Sequence, residues 1–155
     1  MQVTAIEDVA APIDHVFAEL IAFDVLERQA LRRGIEVRRK FRGAMPETGE
    51  GWVAKFRFRG KEREADIQLA AFEPLNFLRF SGASGGLETD TQIELVPLSP
   101  GRTRVNVAFK MMPKSLSSRL LVQSLKLARS SINRKLKKRM THYAREIELK
   151  ATRSV

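Results

Sequence analysis

Cysteine is absent from this chain of 155 residues, and histidine occurs only twice. Without thiols the chain has no disulfide, no thiolate nucleophile and no cysteine-ligated metal site. The two histidines, His15 and His142, are isolated from each other in the sequence, which argues against a zinc site. Nucleophile-elbow, phosphate-loop and zinc-helix motifs are missing as well. We therefore expect no metal and no cofactor, and the sequence offers no catalytic constellation.

Long hydrophobic runs are also missing. No stretch approaches the roughly 18 apolar residues that span a bilayer. Residues 1–8 have neither the basic start nor the apolar run of a signal peptide. Together with the lack of cysteine, these absences predict a cytoplasmic protein. With 43% hydrophobic residues and no linker-like segment, we expect residues 1–150 to form a single domain and residues 151–155 to be a short tail.

What the chain does have is a strongly basic end. Residues 114–153 contain 12 Lys or Arg and only two Glu, so this segment carries the whole net charge of +10 and residues 1–113 are neutral. Its apolar residues recur at spacings of three and four, which predicts one long helix with an apolar stripe. The stripe consists of Leu116, Leu120, Leu121, Leu125, Ala128, Ile132, Leu136, Met140, Tyr143 and Ile147.

Two shorter helices are expected near the amino terminus, after a first short strand. Pro12 suits the first turn of a helix, because its missing N–H has no partner at that position anyway. Asp24 and Glu27 form an Asp-x-x-Glu arrangement that can cap a second helix. Gly34 is well placed to end that helix.

From residue 35 to residue 112 the apolar period changes to two, which is typical of strands. Ile35, Val37, Arg39 and Phe41 alternate with charged residues, a turn-rich segment occupies residues 43–51, and five more strands follow. Six strands with short links predict an antiparallel meander with one apolar and one charged face. The predicted fold class is α+β, a curved seven-stranded antiparallel sheet (order β-α-α-β-β-β-β-β-β-α) wrapped on a long C-terminal helix.

A resemblance to a known family supports this architecture. The element order is similar to the helix-grip fold of the START-like (SRPBCC) superfamily, which includes birch-pollen allergens, polyketide cyclase/dehydrase proteins and lipid-transport proteins. The resemblance implies that an apolar ligand binds between sheet and helix. It is carried by residues 11–17 (Ala-Pro-Ile-Asp-His-Val-Phe), 51–52 (Gly-Trp), 72–74 (Phe-Glu-Pro) and 101–105 (Gly-Arg-Thr-Arg-Val).

Side chains in the inward phase of the strands and on the helix stripe are candidates for lining that space. Thr89 and Thr91 share a phase with apolar neighbours, as does Arg39, so they could orient a ligand oxygen. Alternatively, Thr is simply a good strand former and Arg39 extends its charge to solvent at a sheet edge. The aromatic candidates could equally form a packed core. The candidate cavity residues are Trp52, Phe56, Phe58, Ile67, Phe80, Thr89, Thr91, Phe109, Met111, Leu121 and Leu125.

The basic helix face is the sharpest charge feature. It could attract anionic lipid headgroups, or it could be no more than a solvated outer face. Nucleic-acid binding is disfavoured because the aromatic residues fall in the apolar phase and are not interleaved with the cations. The candidate basic surface consists of Arg134, Lys135, Lys137, Lys138 and Arg139.

Three functions follow from this sequence. The leading hypothesis is binding or carriage of a small hydrophobic molecule, such as a lipid, a quinone or a polyketide, between sheet and helix. The first alternative is a cyclase- or hydratase-type enzyme that uses the same cavity. The second is a module that docks on an anionic membrane surface through the basic helix face. The sequence leaves the ligand's identity and the oligomeric state open.

Overall fold

The computed structural model describes residues 1–40 and 48–153. Phe41 and most of the turn-rich segment predicted at residues 43–51 lie outside the described residues, as do the last two residues of the expected tail. The elements in chain order are β1 (Gln2–Val9), α1 (Ile13–Leu20), α2 (Phe23–Arg32), β2 (Glu36–Arg39), β3 (Gly51–Phe58), β4 (Lys61–Glu73), β5 (Phe77–Ser84), β6 (Leu87–Ser99), β7 (Arg102–Pro113), α3 (Leu116–Leu127) and α4 (Arg129–Arg153).

The seven strands form one antiparallel sheet in the order β1-β7-β6-β5-β4-β3-β2. Strands β2 to β7 follow one another as a meander, and β1 pairs with β7 at the far edge. Because side chains alternate along a strand, the register sends Leu69, Leu78 and Leu95 to the same, inner face. The predicted α+β class, strand number and element order are confirmed.

The two N-terminal helices begin and end largely where the sequence indicates. Pro12 is the residue before α1, and Gly34 follows α2 with φ of +81°, a left-handed conformation that glycine adopts without a steric cost. The predicted cap of α2 is wrong: the helix begins after Ala22, which makes no side-chain cap bond. Asp24 and Glu27 instead bind a cation on β2, which is a stronger partner for a carboxylate than a backbone amide.

The C-terminal segment is helical but interrupted at Ala128, which divides the predicted single helix into α3 and α4. Leu116 and Leu120, which the stripe predicts to be buried, are 74% and 59% exposed because α3 turns this face away from the sheet. At the other end α4 continues through Arg153, so part of the expected tail is helical. No helix in the described ranges is both long and apolar enough to cross a membrane.

A serine pair fixes the start of α3. The Ser115 hydroxyl accepts from the Ser118 amide, and the Ser118 hydroxyl accepts from the Ser115 amide, so two amides of the first turn have partners. The Ser118 hydroxyl also lies 3.0 Å from the Gly86 carbonyl oxygen, in the turn between β5 and β6. Gly86 has φ of +80° and a Cβ there would collide with Ser115, so glycine is required at this position.

The long helix α4 does not cross the middle of the sheet; it lies along the edge strand β1. Three contacts mark its path: Arg129 Nη2 donates to the Gln2 carbonyl at 2.7 Å, Thr141 Oγ1 lies 3.0 Å from Glu7 Oε2, and His15 Nε2 lies 3.1 Å from the Ile147 carbonyl. Helix α3 packs chiefly on β7. Of the two N-terminal helices, α1 packs on β6 and β7 and α2 packs on β2.

Two apolar clusters result. The larger one joins α1, α2 and the second half of α4 to the sheet, and includes Val9, Val16, Phe23, Leu69 and Leu78. The smaller one lies under α3 around Val3, Met111 and Val122. The space described below is bounded by the larger cluster.

The larger cluster predicts a clear stability contrast. Leu69 is fully buried, so Leu69→Ala removes transfer free energy and leaves a cavity, and we expect it to lower the free energy of unfolding by about 2–5 kcal/mol. Leu149, which is 57% exposed, loses the same atoms in the control Leu149→Ala, with an expected change within about 0.5 kcal/mol. Urea denaturation measures both. Equal effects would mean that Leu69 is not part of the core.

Candidate functional site

A cavity of about 260 Å³ lies between the inner face of the sheet and α4. Strands β1, β5, β6 and β7 form its floor, α4 forms one wall, and the end of α1 and part of α2 close the other side. Its lining is apolar apart from one carboxylate and one phenol. The lining residues are Glu7, Val9, Leu20, Leu26, Phe80, Ile93, Val105, Val107, Met140, Tyr143, Ala144 and Ile147.

The carboxylate in this lining belongs to Glu7. It shares the inner phase of β1 with Val3 and Val9, and its backbone pairs with Val105 of β7. Its Oε2 lies 3.0 Å from Thr141 Oγ1, but that hydroxyl is also 3.0 Å from the Lys137 carbonyl oxygen and has only one proton to donate. Glu7 thus keeps acceptor capacity that the described residues leave unused.

The phenol belongs to Tyr143 and is already engaged. Its hydroxyl donates to the Glu19 carbonyl oxygen, 3.1 Å away at the end of α1. Burial raises the pKa of Tyr143, and the carboxylates of Glu19 and Glu146 raise it further. Lys150 Nζ lies 3.1 Å from Glu19 Oε2, so α4 holds the end of α1 through two polar contacts. Tyr143 therefore lines the cavity, but its hydroxyl proton is not available to a ligand.

A second, more open space of about 190 Å³ adjoins the cavity beneath α2, and the two share Leu26 and Phe80 in their walls. Three aromatic rings form part of its wall. The rings of Phe23 and Trp52 pack edge to face with centroids 5.0 Å apart, and those of Trp52 and Phe80 are tilted with centroids 6.1 Å apart. Its lining residues are Phe23, Leu26, Glu27, Val37, Trp52, Ile67 and Phe80.

A charge cluster centred on Arg39 fixes α2 over this second space. Arg39 Nε lies 2.9 Å from Glu27 Oε1 and its Nη2 lies 3.0 Å from Asp24 Oδ1, while Trp52 Nε1 donates to the same Glu27 oxygen at 3.0 Å. The buried Glu50 is 3.8 Å from the guanidinium through Oε1, and its Oε2 finds no hydrogen-bond partner among the described residues. Arg39 is therefore a cross-link between helix and sheet, unlike either role expected from the sequence.

Metal binding has no support in this geometry. Across residues 1–40 and 48–153, no three His, Asp or Glu side chains are placed to hold one ion. A larger concavity of about 500 Å³ lies on the outer face of the sheet, where Arg79 pairs with Asp90 at 2.9 Å and Lys40 pairs with Asp66. It is a solvated, internally neutralised surface, so we place the candidate site on the inner face.

Comparison with known proteins identifies the fold. No protein-family model matches the chain, and no curated protein matches its sequence. Solved structures do match: Zhui aromatase/cyclase from Streptomyces sp. R1128 is 15% identical with a TM-score of 0.66, covering 99% of this chain and 94% of that one. A START superfamily protein from Mycobacterium smegmatis is 12% identical with a TM-score of 0.63, covering 99% of each chain. TTHA0849 from Thermus thermophilus is 17% identical with a TM-score of 0.65, covering 97% of this chain and 99% of that one.

The fold is START-like. The resemblance expected from the sequence is thereby confirmed at the level of architecture, since identities this low establish the fold alone. Within the START-like fold the cavity lies where the sequence analysis expected a space, between the curved sheet and the C-terminal helix.

The eleven predicted cavity residues fall in several places on the START-like framework. Phe80 lines both spaces, and Trp52 and Ile67 line the second one. Phe109, Met111 and Leu125 belong to the cluster beneath α3, and Leu121 is half-buried on that helix. The other four are half-buried inner-face residues that line neither space; they are Phe56, Phe58, Thr89 and Thr91.

Sequence reasoning missed the polar residue of the site. Glu7 stands in the apolar phase of the first strand, and an acid among inward-facing residues was the available signal. The predicted basic surface residues are all exposed, and within the described ranges none of them makes an ion pair. They are Arg134, Lys135, Lys137, Lys138 and Arg139.

The buried phenol predicts an alkaline loss of stability. The pKa of Tyr143 in the folded protein lies above its unfolded value of about 10. The neutral phenol therefore makes its full contribution to the free energy of unfolding below about pH 10, and this contribution is lost as the pH rises above about 10. Tyr143 is the single tyrosine, so ultraviolet absorbance of the phenolate reports it alone. We expect phenolate to appear only with unfolding, and Tyr143→Phe to flatten the alkaline decline. Ionisation near pH 10 in the folded protein would contradict this.

Proposed function

We propose that this protein binds and carries a small hydrophobic molecule in the cavity between the sheet and α4. The observation that supports this most is the cavity itself, whose lining has one polar side chain not already satisfied within the protein. A mostly apolar cavity with few polar groups is the usual form of a small-molecule site. The two adjoining spaces together fall within the roughly 300–1,000 Å³ of such sites.

Removal of apolar surface from water supplies the driving force, about 25 cal/mol per Å². The ligand's apolar body would occupy the space between Ile93, Val107 and Ala144. Access would be from the side of α2, where the second space opens to solvent and shares Leu26 and Phe80 with the first. Lipids, quinones and polyketides all fit this description. The cytoplasmic location expected from the sequence stays a prediction.

The carboxylate of Glu7 narrows the class of ligand that the cavity would accept. A carboxylate that is ionised accepts hydrogen bonds and cannot donate them. Glu7 would therefore favour an apolar molecule that carries a hydroxyl, an amine or another donor, and would disfavour one that carries a carboxylate. Arg145 interacts electrostatically with Glu7, but its guanidinium is bound to Glu148.

Filling the cavity tests the site. Ile93→Phe adds volume to the cavity floor, whereas Gln92→Phe places the same side chain on the outer face of the same strand. We expect Ile93→Phe to weaken binding of the fluorescent apolar probe N-phenyl-1-naphthylamine by roughly tenfold or more, because the ring takes up the space of the probe. Gln92→Phe should bind as the natural protein does. Equal binding by both variants, with unchanged melting temperatures, would place the probe elsewhere.

Competition between two head groups tests the role of Glu7. Decylamine should displace the probe at a concentration about tenfold lower than decanoate, because the amine donates to Glu7 while the carboxylate is repelled by it. Glu7→Gln should remove most of this preference and change the net charge by only one. A preference that persists in Glu7→Gln, or that favours decanoate, would show that Glu7 does not select the head group.

A cyclase- or hydratase-type enzyme is the second candidate, and Glu7 is the observation that favours it. General acid–base chemistry needs a group that can take up a proton inside the cavity, and a lining with no such group would exclude it. Incubation of the bound molecule, recovered by extraction, with fresh protein separates the two functions by mass spectrometry. A carrier returns the molecule unchanged, whereas an enzyme alters it in the natural protein and much less in Glu7→Gln.

A further inference from the structure

Helix α3 is apolar on two opposite faces. Its inner face carries Ser118, Val122 and Leu125, which pack on β7 and the cluster around Met111. Its outer face carries three leucines that are 59% to 93% exposed: Leu116, Leu120 and Leu127. An apolar stripe on a surface helix normally faces the core. Within residues 1–40 and 48–153, nothing covers the outer face of α3.

The three outer leucines form one stripe and are not scattered. At 3.6 residues per turn, positions 116, 120 and 127 fall within about 40° of one another on the helix. The stripe points away from Val122, which is only 3% exposed, so the leucines contribute little to the core. Single exposed leucines need no explanation, but a contiguous stripe indicates a surface that meets an apolar medium.

The charges around this stripe indicate which medium it meets. Arg119 and Lys126 are exposed on the same helix, beside the stripe. The five cations of the basic surface follow on α4, and the sequence contains no acidic residue from position 114 to position 145. A second copy of the chain would bring equal positive charge against this face, which disfavours self-association. An anionic lipid surface satisfies both the leucines and the cations.

We propose that α3 is a membrane-docking element that inserts Leu116, Leu120 and Leu127 into the headgroup region of an anionic bilayer. Arg119, Lys126 and the basic surface of α4 would contact the lipid phosphates. A helix in this position lies in the plane of the interface and does not cross it. The docking surface is separate from the cavity, so this inference goes beyond ligand binding and does not depend on it.

Sedimentation with vesicles tests the proposal. The vesicles are pure phosphatidylcholine, or phosphatidylcholine with roughly 30 mol % phosphatidylserine, since anionic lipid is the variable. The variant carries Leu116→Gln, Leu120→Gln and Leu127→Gln. The matched control carries Leu31→Gln, Leu98→Gln and Leu149→Gln, three exposed leucines on other surfaces. Glutamine keeps helix propensity close to that of leucine.

We expect the natural protein and the control to bind the anionic vesicles, and the α3 variant to bind at least roughly tenfold more weakly. High salt should reduce binding only in part, because the leucine contribution is not screened. No binding by the natural protein would overturn the proposal. The proposal would also be overturned if the α3 variant bound as tightly as the natural protein and high salt abolished the binding of both. The cations alone would then explain the binding. Light scattering that detects dimers of the natural protein but not of the α3 variant would also overturn the proposal, because the leucines would then bind a second copy of the chain.

Two further measurements keep the test decisive. Leu120→Trp should shift the tryptophan emission to the blue on anionic vesicles, relative to the natural protein with Trp52 alone, because the added indole leaves water. This variant replaces the triple variant if the latter does not fold. No shift would contradict insertion. Binding of N-phenyl-1-naphthylamine in the α3 variant should be unchanged, which separates a failure of docking from a failure of the cavity.

Discussion

The difference in width between the sheet and the helix that packs on it determines the rest of this structure. Seven strands spaced by about 4.8 Å make a sheet roughly 30 Å wide, whereas a helix with its side chains is about 10–12 Å across. One helix cannot cover such a face. Here α4 lies along the β1 edge, α1 packs on β6 and β7, and α2 packs on β2 at the opposite edge. The cavity is the inner surface that remains between these covers.

Polar contacts at the rim add to the apolar cluster in setting the positions of the covering helices. Tyr143 and Lys150 bind the end of α1 through Glu19, and Arg39 binds α2 through Glu27. A hydrogen bond fixes the distance and the direction between its two partners, whereas apolar burial is non-directional. The helices can therefore be held at a defined distance from the sheet without a fully packed interior between them. This arrangement leaves space for a ligand.

The sequence predicts the framework well because the framework depends on periodicity. Alternation through the strands and a break at Gly34 are local signals, and both are confirmed. The site depends on where α4, α1 and α2 lie over the sheet, which alternation does not encode. Phe56 and Phe80 share the inner phase of the sheet, yet only Phe80 lines the cavity. Arg39 was likewise visible as an inward cation, but its carboxylate partners come from another element and lie 12 and 15 residues away.

Helical spacing within α3 accounts for the leucines on its outside. At 3.6 residues per turn, Leu125 lies about 180° from Leu116 and about 140° from Leu120, so these residues of one helix cannot share one environment. The helix is oriented by the contacts of its inner face, in which Ser118 reaches the Gly86 turn and Val122 packs inward. Leu116 and Leu120 are thereby directed outward. The contacts that seat α3 on β7 thus also present its apolar outer face to the surroundings.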